Sequence, residues 1–134
     1  MGRMKHCRHA WDGPCTCAMG NIYRFVEPVL LLLLKKNGPS CGYDLGTRIQ
    51  EHAITDGQVE HAVLYRTLRT LENNGNVVSH WETQASGPAR RVYMLTEQGE
   101  QHLRDWVDVL DRISISMKRF VGDASEMLSA GTRR

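Results

Sequence analysis

The spacing of apolar residues predicts three helices in succession along the first part of the chain. The first of these segments is apolar on almost every side, which is typical of a helix buried all round. In the third, Leu64, Leu68 and Leu71 recur at i, i+4 and i+7, so they share one face of a helix. The turn compositions NGPS and TDGQ separate the segments, and the predicted helices cover residues 23–36, 43–52 and 58–73.

The pattern then changes to that of extended strands. The segments VVSHWET and RRVYML are rich in β-branched and aromatic residues, and they flank the turn composition QASGP. They predict a two-stranded hairpin over residues 77–95. Thr96 then caps a last helix, in which Gly99 is expected to be a weak point near the start.

The last predicted helix has an apolar face too wide for a helix that stands alone in water. This width predicts that the helix packs against a partner, and two copies of the helix could bury their apolar stripes against each other. The residues predicted for the dimer interface are Leu103, Trp106, Val107, Leu110, Ile113, Met117 and Phe120.

The order of these elements predicts a mainly α fold with a small β-hairpin. Three helices followed by a hairpin form the winged helix-turn-helix plan, and a long C-terminal dimerisation helix follows it. The last residues, SAGTRR, are expected to be frayed. The predicted organisation is an irregular Cys/His-rich head over 1–21, a winged helix-turn-helix domain over 22–95, the dimerisation helix over 96–122 and a tail over 123–134.

The outer face of the third helix is polar and basic where the inner face is apolar. In a helix-turn-helix unit the later helix lies in the major groove of DNA. Residues near its start can reach base edges, and tyrosine or arginine further along can bind phosphates. A basic hairpin tip suits a minor groove or a phosphate. The predicted DNA-binding residues are therefore Gln58, His61, Tyr65, Arg66 and Arg69 on the helix, with Arg90 and Arg91 on the hairpin.

Each of these features also has a purely structural explanation. Arg66 and Arg69 could belong to a solvated helix face, with Tyr65 half-buried in the core. Arg90 and Arg91 could be ordinary charges beside a turn. The context of a short preceding helix, a glycine exit and a following hairpin favours the DNA-binding interpretation.

Composition narrows the classes of function. A chain of 134 residues fits one domain, and its formal net charge of only +2 means that DNA contacts must come from a local cluster. The apolar run 29–34 is too short to cross a membrane, and no signal-peptide cleavage site accompanies it. We therefore expect a cytoplasmic protein without a membrane partner. It carries no glycine-rich phosphate loop and no nucleophile beside a histidine, so we do not expect an enzyme.

The first 21 residues concentrate soft metal donors. Thiolate and imidazole suit Zn²⁺ and other soft metals, but the cysteine spacing does not match a standard zinc knuckle. Three interpretations stay open: a basic arm whose cysteines do little, a metal or haem sensor, and a thiol redox switch. Cys41 is expected to be a small apolar filler. No cofactor follows with certainty, and the candidate ligands for zinc or another soft metal are His6, Cys7, His9, Cys15 and Cys17.

Three segments together resemble the PadR family of bacterial transcriptional regulators. They are VLLLLLKKNGPSCGYDLGTRI, VLYRTLRTLENNGNVVSHWE and GPARRVYMLTEQGEQHL, within roughly residues 24–103. The resemblance implies a homodimeric repressor of the winged-helix type that binds double-stranded DNA at a pseudo-palindromic operator. It implies that Tyr43 and Tyr65 match tyrosines of the family's DNA-facing region. The family's ligands vary, so a small-molecule inducer is implied without its identity.

Two other functions compete with that of a regulator. One is a metal-handling or thiol-redox sensor protein that uses the Cys/His-rich head, with the helical part as a dimer scaffold. The other is a protein–protein adaptor built on a winged helix. Control of the regulator by ligand, metal or redox state stays open at this stage.

Overall fold

The computed structural model describes residues 25–54, 59–84 and 86–132. The first helices and strand are α1 (Val26–Asn37), β1 (Ser40–Cys41), α2 (Gly42–Arg48) and a 3-10 turn (Ile49–His52). The remaining elements are α3 (His61–Asn73), β2 (Val77–Glu82), β3 (Arg90–Leu95) and α4 (Glu97–Thr132). Within the described residues the strands form one antiparallel sheet in the order β1-β3-β2. The predicted winged helix-turn-helix followed by a long C-terminal helix is confirmed.

The core forms where α1 meets the apolar face of α3. Leu30, Leu31 and Leu33 of α1 are fully buried, as its nearly continuous apolar sequence predicts. The i, i+4, i+7 leucines of α3, from Leu64 to Leu71, are buried against them. Cys41 is also buried, which confirms that it fills apolar space.

Glycines end α1 and α3 where the sequence predicts an exit. Gly38 has φ of 73° and Gly75 has φ of 81°, a left-handed backbone that glycine adopts without steric cost. Gly38 donates its amide to Leu34 and Gly75 donates to Glu72, so both satisfy carbonyls at a helix end.

Several element boundaries differ from the prediction. The helix α3 begins at His61 instead of 58, and α2 gives way to a 3-10 turn at Ile49. The strand β1 was missed because two residues are too few to form a period; Ser40 and Cys41 pair with Tyr93 and Val92. The wing is therefore part of a three-stranded sheet rather than an isolated hairpin.

The predicted frayed tail is wrong up to Thr132, because α4 continues to that residue. The apolar stripe that marked the helix in the sequence stops near Val121. Beyond it, residues 123–132 contain alanine, glutamate, methionine and leucine, which are strong helix formers, and no proline. Local propensity therefore extends the helix past the residues that the amphipathic pattern marks.

Gly99 is a close-contact position and not the weak point that the sequence predicts. A Cβ atom added at Gly99 would lie 1.9 Å from the carbonyl oxygen of Asn76, in the turn after α3. Thr96 caps α4 as predicted, since its hydroxyl accepts from the Gly99 amide at 3.0 Å and donates to the Gly75 carbonyl at 2.7 Å. The start of α4 is thereby fixed against the end of α3.

Two side-chain pairs fix the start of α4 against α1 as well. Lys35 lies 2.9 Å from Glu100, and His102 contacts the Glu27 carboxylate. Contacts divide the chain into two compact units at this point, the first ending at Leu103 and the second beginning at Arg104.

The second unit is a helix with an apolar face that is open to solvent. Val107, Met117 and Phe120 are mainly exposed, the last of them by 71%, and Trp106, Leu110 and Ile113 are partly covered. These are residues predicted for the dimer interface, and their pairing with a second copy stays a prediction. Across the described residues, no helix combines the length and apolar character that a bilayer span requires.

Candidate nucleic-acid interface

The outer face of α3 is open to solvent along its length. His61, Tyr65, Arg66 and Arg69 are all exposed, while the buried leucines hold the opposite face in the core. Among the residues that the structure describes, neither Arg66 nor Arg69 has a carboxylate within ion-pair distance. Both guanidinium groups are therefore available to an external anion. Gln58, predicted to lie on the same stripe, is outside the described residues.

Tyr65 extends from α3 to the start of α2. Gly42 is buried beneath its ring, and a Cβ added at Gly42 would lie 2.6 Å from Cε1 and 2.7 Å from the hydroxyl oxygen of Tyr65. The absence of a side chain at Gly42 thus creates the space that the tyrosine occupies. Tyr65 remains 41% exposed in this position, and Tyr43 beside it is 71% exposed.

The wing is joined to α3 by a network around Arg91. Its guanidinium donates to Glu72 at 3.1 Å and to the Ser79 hydroxyl at 2.7 Å, and Ser79 in turn donates to Glu72. Glu72 belongs to α3, whereas Ser79 and Arg91 belong to β2 and β3. Arg91, predicted to contact DNA, is therefore engaged with its own protein, while Arg90 is exposed beside it.

Trp81 is an exposed aromatic residue that the sequence-based search for site residues missed. It is 65% exposed near the outer end of β2 and lies directly across the sheet from Arg91. The Arg91 guanidinium carbon lies 5.9 Å from the centre of the indole ring, within the range of a cation–π contact. The alternation of side chains along β2 carried a signal for Trp81. It lies on the same face of the strand as buried Val77, but at the far end of the strand, where the core no longer covers it.

These groups surround one open cleft of about 630 Å³ between the start of α2, α3 and the wing. The cleft brings together four residues that were predicted to bind DNA, namely Tyr43, Tyr65, Arg90 and Arg91, and it adds Trp81 and Tyr93. By contrast, His61, Arg66 and Arg69 are not part of its lining and lie on the outer face of α3.

Tyr93 forms the buried floor of this cleft. Burial raises the pKa of its phenol above the ordinary value, and nearby Arg91 lowers the pKa in partial compensation. The phenol therefore stays protonated and uncharged at neutral pH. Because the phenol is neutral, it does not offset the positive charge of the surrounding arginines.

Within the described residues, no group of three or more His, Cys, Asp or Glu side chains is placed to hold a metal ion. The five donors predicted in the head, His6, Cys7, His9, Cys15 and Cys17, lie outside the described residues.

Comparison with known proteins supports the regulator interpretation and not the metal-handling alternative. The chain is 29% identical over 84 residues to the negative transcriptional regulator PadR of Bacillus subtilis. That alignment covers 63% of this chain and 46% of the relative. The chain spans less than half of the length of the curated relatives that it matches.

Solved structures support the same fold. A transcriptional regulator from Clostridium thermocellum superimposes with a TM-score of 0.66 at 23% identity, covering 75% of this chain and 93% of that one. Bacillus subtilis PadR, solved in complex with operator DNA, superimposes with a TM-score of 0.53 at 28% identity. That superposition covers 60% of this chain and 45% of the PadR chain.

The sequence pattern of a known family covers most of the winged helix and the start of α4. The family model for the transcriptional regulator PadR-like family matches residues 29–105, which is more than half of the chain. This span contains the exposed residues of α3, the wing and the Thr96–Gly99 junction. The chain belongs to the PadR-like family of transcriptional regulators.

Proposed function

We propose that this protein is a DNA-binding transcriptional regulator that represses its target by occupying an operator as a homodimer. The exposed stripe of α3, with Arg66 and Arg69 unpaired among the described residues, is the observation that carries the proposal. A relative named as a negative transcriptional regulator and a related structure with operator DNA support it. Contact with the chromosome requires the cytoplasmic location expected from the sequence.

The third helix performs the recognition in this proposal. Its leucine face is held in the core, so the opposite face can enter the major groove without unfolding. His61, in the first turn of α3, reaches base edges, whereas Arg66 and Arg69 bind phosphates and fix the register on the duplex. Tyr43, at the start of α2, and Tyr65, on α3, line the same cleft.

The apolar face of α4 supplies the second half of the proposal. Burying a leucine or valine from water contributes roughly 1.5–3 kcal/mol, so pairing two such helices is strongly favourable. A twofold dimer presents two copies of α3 to the duplex about one helical turn apart, roughly 34 Å. The expected operator is therefore pseudo-palindromic.

Selection of bound fragments from the genomic DNA of the source organism tests this function. We expect the full chain to enrich a small set of upstream fragments with a shared inverted repeat, and to bind each site with two chains per duplex. Affinity should fall steeply with added salt, with a slope of about 0.9 per phosphate neutralised in a plot of log affinity against log salt. Repeating the selection with and without Zn²⁺ and reductant tests whether the head influences binding.

Two results would contradict the proposal. One is enrichment no better than that of bulk genomic DNA. The other is binding that does not change with salt, which would favour the metal-handling or adaptor alternatives.

The packing of Tyr65 on Gly42 gives a prediction about the same face. We expect Gly42→Ala to reduce operator affinity by about fivefold to tenfold, because the methyl group displaces the Tyr65 ring from its position. The displaced atoms are the far end of a flexible side chain, so the free energy of unfolding should change by less than about 1 kcal/mol. Fluorescence anisotropy and thermal melts measure the two quantities.

The matched control is the same substitution in a Tyr65→Ala background. The ring is then absent, and Gly42→Ala should cause no further loss of affinity. An equal loss in both backgrounds would mean that Gly42 acts through something other than Tyr65.

A further inference from the structure

The charge of Arg91 is already balanced inside the protein. Its Nη2 lies 3.1 Å from Glu72 and its Nε lies 2.7 Å from the Ser79 hydroxyl, so two of its donors are occupied. Binding a DNA phosphate would require these contacts to break or the phosphate to approach the Glu72 carboxylate. Arg91 is therefore poorly placed to serve as a phosphate contact, although its position on the wing suggests one.

Trp81 differs from Arg91, because most of its side-chain surface is open to solvent. Its indole therefore offers a large apolar ring face to a molecule that binds beside it. Its orientation is nevertheless supported, because Arg91 lies directly opposite in the sheet and its guanidinium faces the ring. The ring borders the cleft that also contains Tyr43 and Tyr65.

Duplex DNA offers a surface that fits such a ring. The deoxyribose rings along a groove wall are apolar on one face, and aromatic or apolar side chains stack on or wedge against nucleotides in many complexes. The positive charge of Arg90 in the cleft lining, together with the charges of Arg66 and Arg69 on the outer face of α3, draws the phosphate backbone toward this side of the protein.

We propose that Trp81 makes the wing's contact with the deoxyribose wall of the operator, and that Arg91 is a positioning residue that holds the indole ring through the Glu72–Ser79 network. The inference rests on the proposed function, since it assigns roles within the same DNA-binding face. It reverses the role that the sequence predicts for Arg91.

A double-mutant cycle distinguishes a positioning role of Arg91 from direct contact between Arg91 and a DNA phosphate. Operator affinity and its salt dependence would be measured for the wild type, Trp81→Ala, Arg91→Gln and the double variant. We expect Trp81→Ala to lower affinity by about tenfold with an unchanged salt slope, because no ionic contact is lost. Arg91→Gln should lower affinity less, and it should add little in the Trp81→Ala background.

Conservative and folding controls accompany the cycle. Trp81→Phe keeps an aromatic face and should recover most of the affinity. Trp81 is exposed, so its replacement should leave the thermal transition almost unchanged.

A direct optical measurement completes the test. The chain has three tryptophans, and a Trp11→Phe/Trp106→Phe variant that still binds the operator leaves Trp81 as the only tryptophan, whose emission is excited at wavelengths that tyrosine does not absorb. Acrylamide should quench this emission strongly in the free protein and much less once the operator duplex is bound.

The outcomes distinguish this inference from the proposed function. If the wild type binds the operator in a salt-dependent way but Trp81 stays equally accessible to acrylamide, the inference fails and the function stands. The inference also fails if Arg91→Gln lowers the salt slope by about one and its effect adds fully to that of Trp81→Ala, since Arg91 is then a phosphate contact. If the wild type selects no duplex DNA, both proposals fail.

Discussion

Replacing Gly99 with alanine should lower the free energy of unfolding by about 3 kcal/mol or more, the largest effect that we expect from a single methyl group in this chain. The added Cβ would lie 1.9 Å from the Asn76 carbonyl oxygen and 2.8 Å from a methyl group of Leu95. The Asn76 carbonyl cannot easily move away, because it accepts a hydrogen bond from the Thr96 amide at 3.2 Å. Relief therefore requires a backbone shift that also disturbs the cap of α4.

Thermal or denaturant unfolding at fixed protein concentration measures this effect. For a chain of this size the expected loss corresponds to a drop of about 10 °C or more in Tm. Protein concentration must be held constant, because the stability of the proposed dimer depends on it.

The same helix provides the matched controls. A Cβ added at Gly122 or Gly131 would meet nothing within 4 Å. Alanine at either position should therefore leave stability unchanged or raise it by up to about 1 kcal/mol, since alanine favours helix more than glycine does. A Gly99→Ala protein as stable as these controls would show that the close approach of α4 to Asn76 is absent in solution.

Gly99 also illustrates where inference from sequence reaches its limit. Local propensity treats a glycine in a helix as a cost, and by that rule the position looks like a defect. The reason for the glycine is a backbone 23 residues earlier in the chain, Asn76, which packs against it. No local pattern contains that information.

The helices could be predicted because their causes lie within one or two turns of sequence. The leucines of α3 repeat at helical spacing and are buried as the spacing requires, and Gly75 ends the helix with the expected left-handed backbone. The strand β1 could not be predicted in this way, since its two residues become a strand only by pairing with β3.

The residues of the candidate site show the same difference between local causes and contacts with distant parts of the chain. Helical geometry alone places Tyr65, Arg66 and Arg69 on the exposed side of α3, and the structure has them there. Which arginine is paired depends instead on contacts between elements: Arg91 meets Glu72 across 19 residues, while Arg66 and Arg69 meet no carboxylate among the described residues. A sequence reveals the number of arginines near a turn but not their partners.

Reversing the charges of Arg66 and Arg69 should abolish most operator binding. We expect the Arg66→Glu/Arg69→Glu variant to bind at least about 100-fold more weakly at low salt, because two phosphate contacts are lost and two negative charges face the backbone. The salt slope should fall by about two, one for each contact. Fluorescence anisotropy titrations across a salt series measure both quantities.

Unfolding of the variant and its altered net charge must both be excluded as causes of the lost operator affinity. Both side chains are exposed, so the thermal transition should change by only a small amount, from the added repulsion between Glu72 and a glutamate at position 69. The control variant Arg112→Glu/Arg119→Glu makes the same change in net charge at exposed residues of α4, which belong neither to α3 nor to the wing. It should retain nearly the affinity of the wild type, because a net-charge effect without local contact is weak at physiological ionic strength. Equal losses in the two variants would mean that the chain attracts DNA by its overall charge, and that α3 does not lie in the groove.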